Sequence, residues 1–186
     1  MPPAARLETP RLLLRPWTAD DAAPLRTVLA ASRDALARWT PWVLDESDTE
    51  DALRARLTRY ALYFTSGIEW RYAILDATDG TTILGGCGLH PRVGPGAIEI
   101  GYWLATAATG QGYATEAAEV LTAEAFRMGD VERVEIRCDP GNVASLRIPE
   151  RLGYRPRGEL VHEPAGPGRP GGTVVVWERR RTDARP

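Results

Sequence analysis

The chain contains no lysine; all 23 of its basic residues are arginine. It carries only two cysteines, two histidines, two phenylalanines and two methionines in 186 residues. No stretch approaches the roughly eighteen apolar residues that cross a bilayer, and no basic segment followed by an apolar one opens the chain as a secretion signal would. Each shortage excludes something. A Walker A phosphate loop needs Gly-Lys-Ser/Thr and is absent. Cys87 and Cys138 lie on separate expected strands without metal or redox spacing, and read as buried core thiols. His90 and His162 have no metal spacing and are assigned no role, so no metal is expected. A net charge of −2 and a pI near 5.8 argue against nucleic acid as the main partner, since neutralising phosphates needs a basic face. Arg179-Arg180-Arg181 reads as a solvated tail. The expectation is a cytoplasmic protein with neither nucleic-acid nor membrane partners; monomer and homodimer both remain open.

What is present is ordinary for a globular domain: 44 % hydrophobic and 26 % charged residues, in a chain of the length of one domain, 1–186. Leu12 to Arg15 reads as a strand stopped by Pro16. Thr18 caps an expected helix to about Ala31, and a short helix through Leu36 carries Trp39 and Trp42 at its end. Asp48 caps a further helix to about Ser66. Segments 70–76 and 82–90 form a hairpin about Thr78-Asp79-Gly80. Strand 97–104, helix 112–128, strand 133–138 and helix 143–152 follow, and strands near 154–162 and 173–178 close the fold. Between those last two, EPAGPGRPGG is too rich in glycine and proline for regular structure and is expected to be mobile. The fold class is therefore α+β, a mixed sheet of about seven strands flanked by helices.

The most informative segment is IEIGYWLATAATGQGYATEAAEVL, Ile98 to Leu121. A strand enters the turn Thr109-Gly110-Gln111-Gly112-Tyr113-Ala114, and a helix leaves it with Ala114, Ala117, Ala118, Leu121, Ala125 and Phe126 on one side. A helix start preceded by glycines offers unpaired N–H groups at the positive end of a dipole, and the missing Cβ atoms let an anion approach. By itself the turn fits either a phosphate site or a tight connection. A dinucleotide loop would need glycine where Thr115 stands.

Segment 97–121 resembles the acetyl-CoA-binding core of the GNAT N-acetyltransferases, whose pyrophosphate loop reads Arg/Gln-x-x-Gly-x-Gly/Ala. Thr109 departs from that pattern, whereas Gly112 and Ala114 match it. DPGNVASLRIPERLGY, Asp139 to Tyr154, resembles the family's Asn-x-x-Ser helix ending in Leu-Gly-Phe/Tyr. LETPRLLLRPWTADDAAPLR resembles the first strand and helix of the RimJ/RimL-type branch, and ARWTPWV its Trp-x-x-Trp acceptor segment. These four motifs run in the family's order along nearly the whole chain.

The resemblance implies a GNAT fold, with a mostly antiparallel sheet splayed between strands 97–104 and 133–138. It also implies acetyl transfer from acetyl-CoA to a primary amine by direct attack in a ternary complex. The cofactor would lie against Tyr102, Trp103 and Leu104, then Thr109, Gly110, Gln111, Gly112, Tyr113, Ala114 and Thr115. Asn142 either caps its helix alone or also meets the pantetheine arm, and Arg147 and Arg151 would face the 3′-phosphate. Glu99, opposite in face to Ile98 and Ile100, is the expected base, or else a surface strand residue. Ser145 either bonds its own backbone or donates a proton to the leaving sulfur. Pro149 stands where many relatives place a tyrosine acid, and its ring should kink the helix. Trp39 and Trp42 belong either to the core or to an acceptor wall, near Asp45, Glu46 and Asp48, which could attract a cationic amine. The expected acceptor is a protein or peptide N-terminus, with an antibiotic or small-metabolite amine as alternative. A silent acyl-CoA-binding sensor is the rival reading.

Overall fold

Alternating apolar residues and turn chemistry generate eight strands and four α-helices among the described residues, 1–40, 43, 49–162 and 171–183 of the computed structural model. The order is β1 (Leu7–Glu8), β2 (Leu12–Pro16), α1 (Ala22–Ala37), α2 (Glu50–Thr65), β3 (Trp70–Asp76), β4 (Ile83–His90), β5 (Ala97–Leu104), α3 (Tyr113–Arg127), β6 (Arg133–Cys138), α4 (Val143–Arg151), β7 (Arg155–His162) and β8 (Gly172–Arg180). The strands form one sheet in the order β1-β2-β3-β4-β5-β6-β8-β7. Only β5 and β6 run parallel, and α3 makes the crossover between them. This is the expected mostly antiparallel α+β architecture. The eighth strand is β1, whose two residues are too few to show a period.

Two expectations change. The helix placed over 18–31 and the short one after it are a single α1, preceded by a 3-10 turn at Ala19–Asp21. Asp21 sets that entry: its carboxylate accepts the Thr18 N–H at 2.8 Å and pairs with Arg15 at 2.7 Å. No glycine interrupts residues 22–37, and Pro24 falls in the first turn, where a proline is tolerated. Asp48, Asp45, Glu46, Pro41 and Trp42 lie outside the described residues; Thr49 caps α2, accepting from the Ala52 N–H.

The sheet separates two cores. On one face α3 packs its alanine stripe and Leu121 against Ile98, Ile100, Val134 and Ile136. On the other, α1 and α2 bury Leu25, Leu29, Leu53 and Leu57 against Leu13, Ala73 and Leu75. Small residues bring α3 close to the strands, which fixes the position of its N-terminus relative to the end of β5. No described helix is long and apolar enough to cross a membrane.

Candidate active site

The parallel ladder is short. It pairs Ala97 with Arg133 and ends at Ile100 with Ile136. Beyond it, Gly101 to Leu104 pair only with β4, while Arg137 and Cys138 pair only with β8. The strands therefore part after Ile100, and the backbone of β5 on that side is open to a ligand, as expected for the splay.

A cavity of about 530 Å³ occupies this opening. Tyr102, Trp103 and Leu104 line it from β5; Thr109, Gly110, Gly112, Ala114 and Thr115 line it from the turn and the start of α3. Asn142, Ser145, Arg147 and Arg151 close it from α4, and Trp39 from the end of α1. The structure thus gathers most of the expected cofactor residues around one space. Gln111 and Tyr113 point away from it. The Gln111 amide donates to the Ala107 carbonyl at 3.1 Å, and the Tyr113 ring lies 4.8 Å beneath the Arg11 guanidinium. Trp42 falls outside the described residues.

Gly112 is the N-cap of α3 with φ +82°, and no side chain caps that end. The amides of Tyr113, Ala114 and Thr115 have no acceptor within the helix, so they are available to an anion. Arg11 was not singled out from sequence, because it approaches the turn from just before β2. It donates to the Gln111 carbonyl at 2.9 Å and pairs with Glu116 in the first turn of α3. Burial opposes ionisation of Glu116, but hydrogen bonds from Thr9 and Arg11 prevail and hold its carboxyl below the usual range.

On α4, Asn142 accepts the Ser145 N–H at 3.1 Å and is a helix cap. The helix runs through Pro149 to Arg151. Pro149 has no N–H for the Ser145 carbonyl, and the Tyr102 hydroxyl points there instead, 3.4 Å from that oxygen and 3.1 Å from Ser145 Oγ. A tyrosine hydroxyl thus reaches the serine from β5 rather than from position 149. Cys138 Sγ lies 3.2 Å from the same Oγ. Burial raises the pKa of Tyr102 and of Cys138, so both stay protonated near neutral pH.

Glu99 is neither exposed nor free-standing. It is 7 % exposed, and Arg92 grips both its carboxylate oxygens, at 2.7 and 3.0 Å. It pairs across the ladder with Glu135, and Arg137 lies against both acids. Two adjacent buried carboxylates would repel each other, and the arginines offset that cost.

A second cavity of about 250 Å³ lies on the α1/α2 side. Arg56, Leu57 and Tyr60 come from α2, and Arg71, His90 and Gly101 from the sheet, with Arg92 just beyond β4. Both cavities reach Thr40, Tyr102 and Trp103. A ligand in each would meet at the parting of β5 from β6. Sequence periodicity showed none of this second chamber, since its polar residues come from three elements.

Comparison with known proteins agrees with this geometry. Residues 11–155 match the family model described as an acetyltransferase (GNAT) domain. A probable N-acetyltransferase of Bacillus subtilis, YjcK, is 27 % identical over 150 residues, which cover 79 % of this chain and 82 % of that protein. Among solved structures, ribosomal-protein-S5-alanine acetyltransferase from Vibrio fischeri superposes with a TM-score of 0.79 at 18 % identity, covering 98 % of this chain and 100 % of the other. Mycobacterium smegmatis RimJ in complex with CoA-disulfide gives 0.81 at 21 % identity, covering 94 % and 84 %.

Proposed function

The chain belongs to the GNAT acetyltransferase family, and on that footing we propose that it transfers the acetyl group of acetyl-CoA directly to an N-terminal α-amine of a protein or peptide. The observation that carries the reading is the meeting of two cavities at Tyr102 and Trp103, one of which ends on the uncapped start of α3. The larger would hold acetyl-CoA, with its pyrophosphate on the amides after Gly112 and its thioester beside the open edge of β5. The smaller would admit the amine from the opposite side, so that attack needs no covalent enzyme intermediate. Ser145, linked to the Tyr102 hydroxyl, is placed to return a proton to the leaving thiolate.

An α-amine suits this site on energetic grounds. Its ordinary pKa is about 2.5 units below that of lysine, so exposing the neutral nitrogen near pH 7 costs about 3.4 kcal/mol less. The S5-alanine enzyme and RimJ, which share the fold, are named for ribosomal protein acceptors or bind CoA, and the proposed setting is the cytoplasm, where such acceptors meet acetyl-CoA. Trp39 lines the larger cavity and stands 3.7 Å from where a Cβ on Gly141 would sit. Neither core cluster includes it, which supports reading it as a wall over the cleft.

Thiol release from acetyl-CoA should be measured against peptides with free N-termini, lysine analogues with blocked N-termini, and small amines. Release is expected first with the free peptides. Tight calorimetric binding of acetyl-CoA without release for any amine would establish the silent acyl-CoA binder instead.

A further inference from the structure

The face of the sheet under the smaller cavity carries a row of residues set by strand register. His90 on β4 pairs with Glu99 on β5, Gly88 with Gly101, and Gly86 with Trp103. Directly opposed residues share a face. The two facing glycines leave a trough without Cβ atoms, and the His90 ring lies in it. A Cβ on Gly88 would stand 2.9 Å from His90 Nε2, and one on Gly101 would stand 3.2 Å away. The imidazole therefore leans along β4 away from Glu99, toward Trp103 and the point where the cavities meet. On this face the histidine ring fills the space that a side chain at position 101 would take.

At the other end of the ring, Nδ1 meets Glu69 Oε1, just before β3. Burial opposes ionisation of Glu69, but hydrogen bonds from His90 and Arg71 hold its carboxyl down at about 2. A carboxylate only accepts, so Nδ1 carries the hydrogen, and in the neutral ring Nε2 offers its lone pair toward the cavity. His90 is 8 % exposed, shielded from bulk water but open to the chamber it lines. Glu99 does not line the chamber, and both its oxygens are held by Arg92.

Resting on the transferase reading above, we propose that His90, rather than Glu99, accepts the proton of the incoming amine, and that Glu69 is the positioning residue that fixes its ring. The ammonium N–H bond breaks and its proton moves to Nε2. The freed nitrogen pair forms the C–N bond at the thioester carbon. The C–S bond breaks with its electron pair on sulfur, which takes a proton from the Ser145–Tyr102 side or from water, and the new amide nitrogen gives up its second proton to solvent. Nothing is oxidised or reduced. Arg92 and Arg137 hold the oxygens of Glu99 and Glu135, so neither acid takes part.

The charged and titratable groups facing the ring are Glu69 and Arg71 from the β3 side, Glu99 on β5, Arg92 beyond β4, and Arg56 and Tyr60 on α2. The decisive comparison sets pH–rate profiles of the parent, His90→Gln, Glu69→Gln and Glu99→Gln beside acetyl-CoA affinity by calorimetry. His90→Gln is expected to lower kcat about 100-fold, a typical contribution of a general base, with acetyl-CoA affinity unchanged. Its rate should climb with pH as the amine deprotonates unaided. Glu69→Gln should lower kcat while leaving acetyl-CoA affinity unchanged, because the amide no longer fixes the ring with its hydrogen on Nδ1. A His90→Gln profile superimposable on the parent's, with the limb lost in Glu99→Gln, would overturn the assignment. Nitrogen-15 NMR of the imidazole in the unliganded chain gives a readout independent of turnover. A hydrogen on Nδ1 in the neutral ring is required, and a hydrogen on Nε2 overturns the proposal even in a variant series that folds poorly. A parent that binds acetyl-CoA but turns over no amine defeats the transferase reading, while the NMR result still decides the tautomer on which the base assignment rests.

Discussion

Gly112→Val is expected to weaken acetyl-CoA binding at least tenfold, about 1.4 kcal/mol. The cause is the backbone, not crowding within the protein. Gly112 sits at φ +82°, and a Cβ there would have only the end of Arg11 within 4 Å, at 3.5 Å. A branched side chain in this left-handed conformation costs about 1–2 kcal/mol, so the turn either keeps its shape under strain or rearranges. In the first case the new methyl groups stand where the pyrophosphate must approach. In the second, the amides of Tyr113, Ala114 and Thr115 lose their common direction. Circular dichroism would confirm the fold, and an unchanged dissociation constant in a folded variant would remove the anion site from this turn.

Leu121→Ala should cost about 3 kcal/mol of stability, typical of a leucine deleted from a closed core. Among the buried positions of α3, Leu121 is the only large aliphatic side chain, and it is 0 % exposed. Its neighbours on the same stripe, Ala117, Ala118 and Ala125, are too short to fill the space it leaves. For a domain of this size the loss corresponds to a fall of about 6–12 °C in thermal midpoint. A fall under about 3 °C would mean that α3 repacks on the sheet more freely than its alanine stripe allows. Because the first turn of α3 is the proposed anion site, the same variant tests whether core rigidity is needed to keep its free amides aligned.

The features that depend on neighbours in sequence were legible there. The turn at 109–114, the period of α3, the Asn142 cap and the β3–β4 hairpin all rest on residues within a few positions of one another. The larger cavity followed, because its walls are the ends of those elements. Other features depend on register between distant strands. His90 meets Glu69 and lies over Gly88 and Gly101 only once β3, β4 and β5 are aligned, and its sequence neighbourhood gives no metal or triad spacing. A signal was nevertheless present: in GGCGLH, Gly86 and Gly88 share a face with His90 by the strand period of two, and Gly101 adds a third glycine opposite. A stripe of glycines on one face of a sheet marks a place where something larger lies flat. Glu99 was singled out by the same alternation, but its Arg92 partner sits in a loop, where periodicity says nothing. The Tyr102 hydroxyl reaches Ser145 from another element altogether, a contact visible only in space. The order of β7 and β8 was equally out of reach, since β8 inserts between β6 and β7 through a connection whose residues, 163–170, lie outside those described.

Acetyl transfer to an α-amine is tested by a peptide carrying both a free N-terminus and an internal lysine. Incubation with acetyl-CoA near neutral pH, followed by tandem mass spectrometry, locates the added acetyl group. A single acetyl group on the terminal nitrogen and an unmodified lysine are expected. Modification of the lysine alone, or no acetylated product while acetyl-CoA remains bound, would contradict transfer to the α-amine.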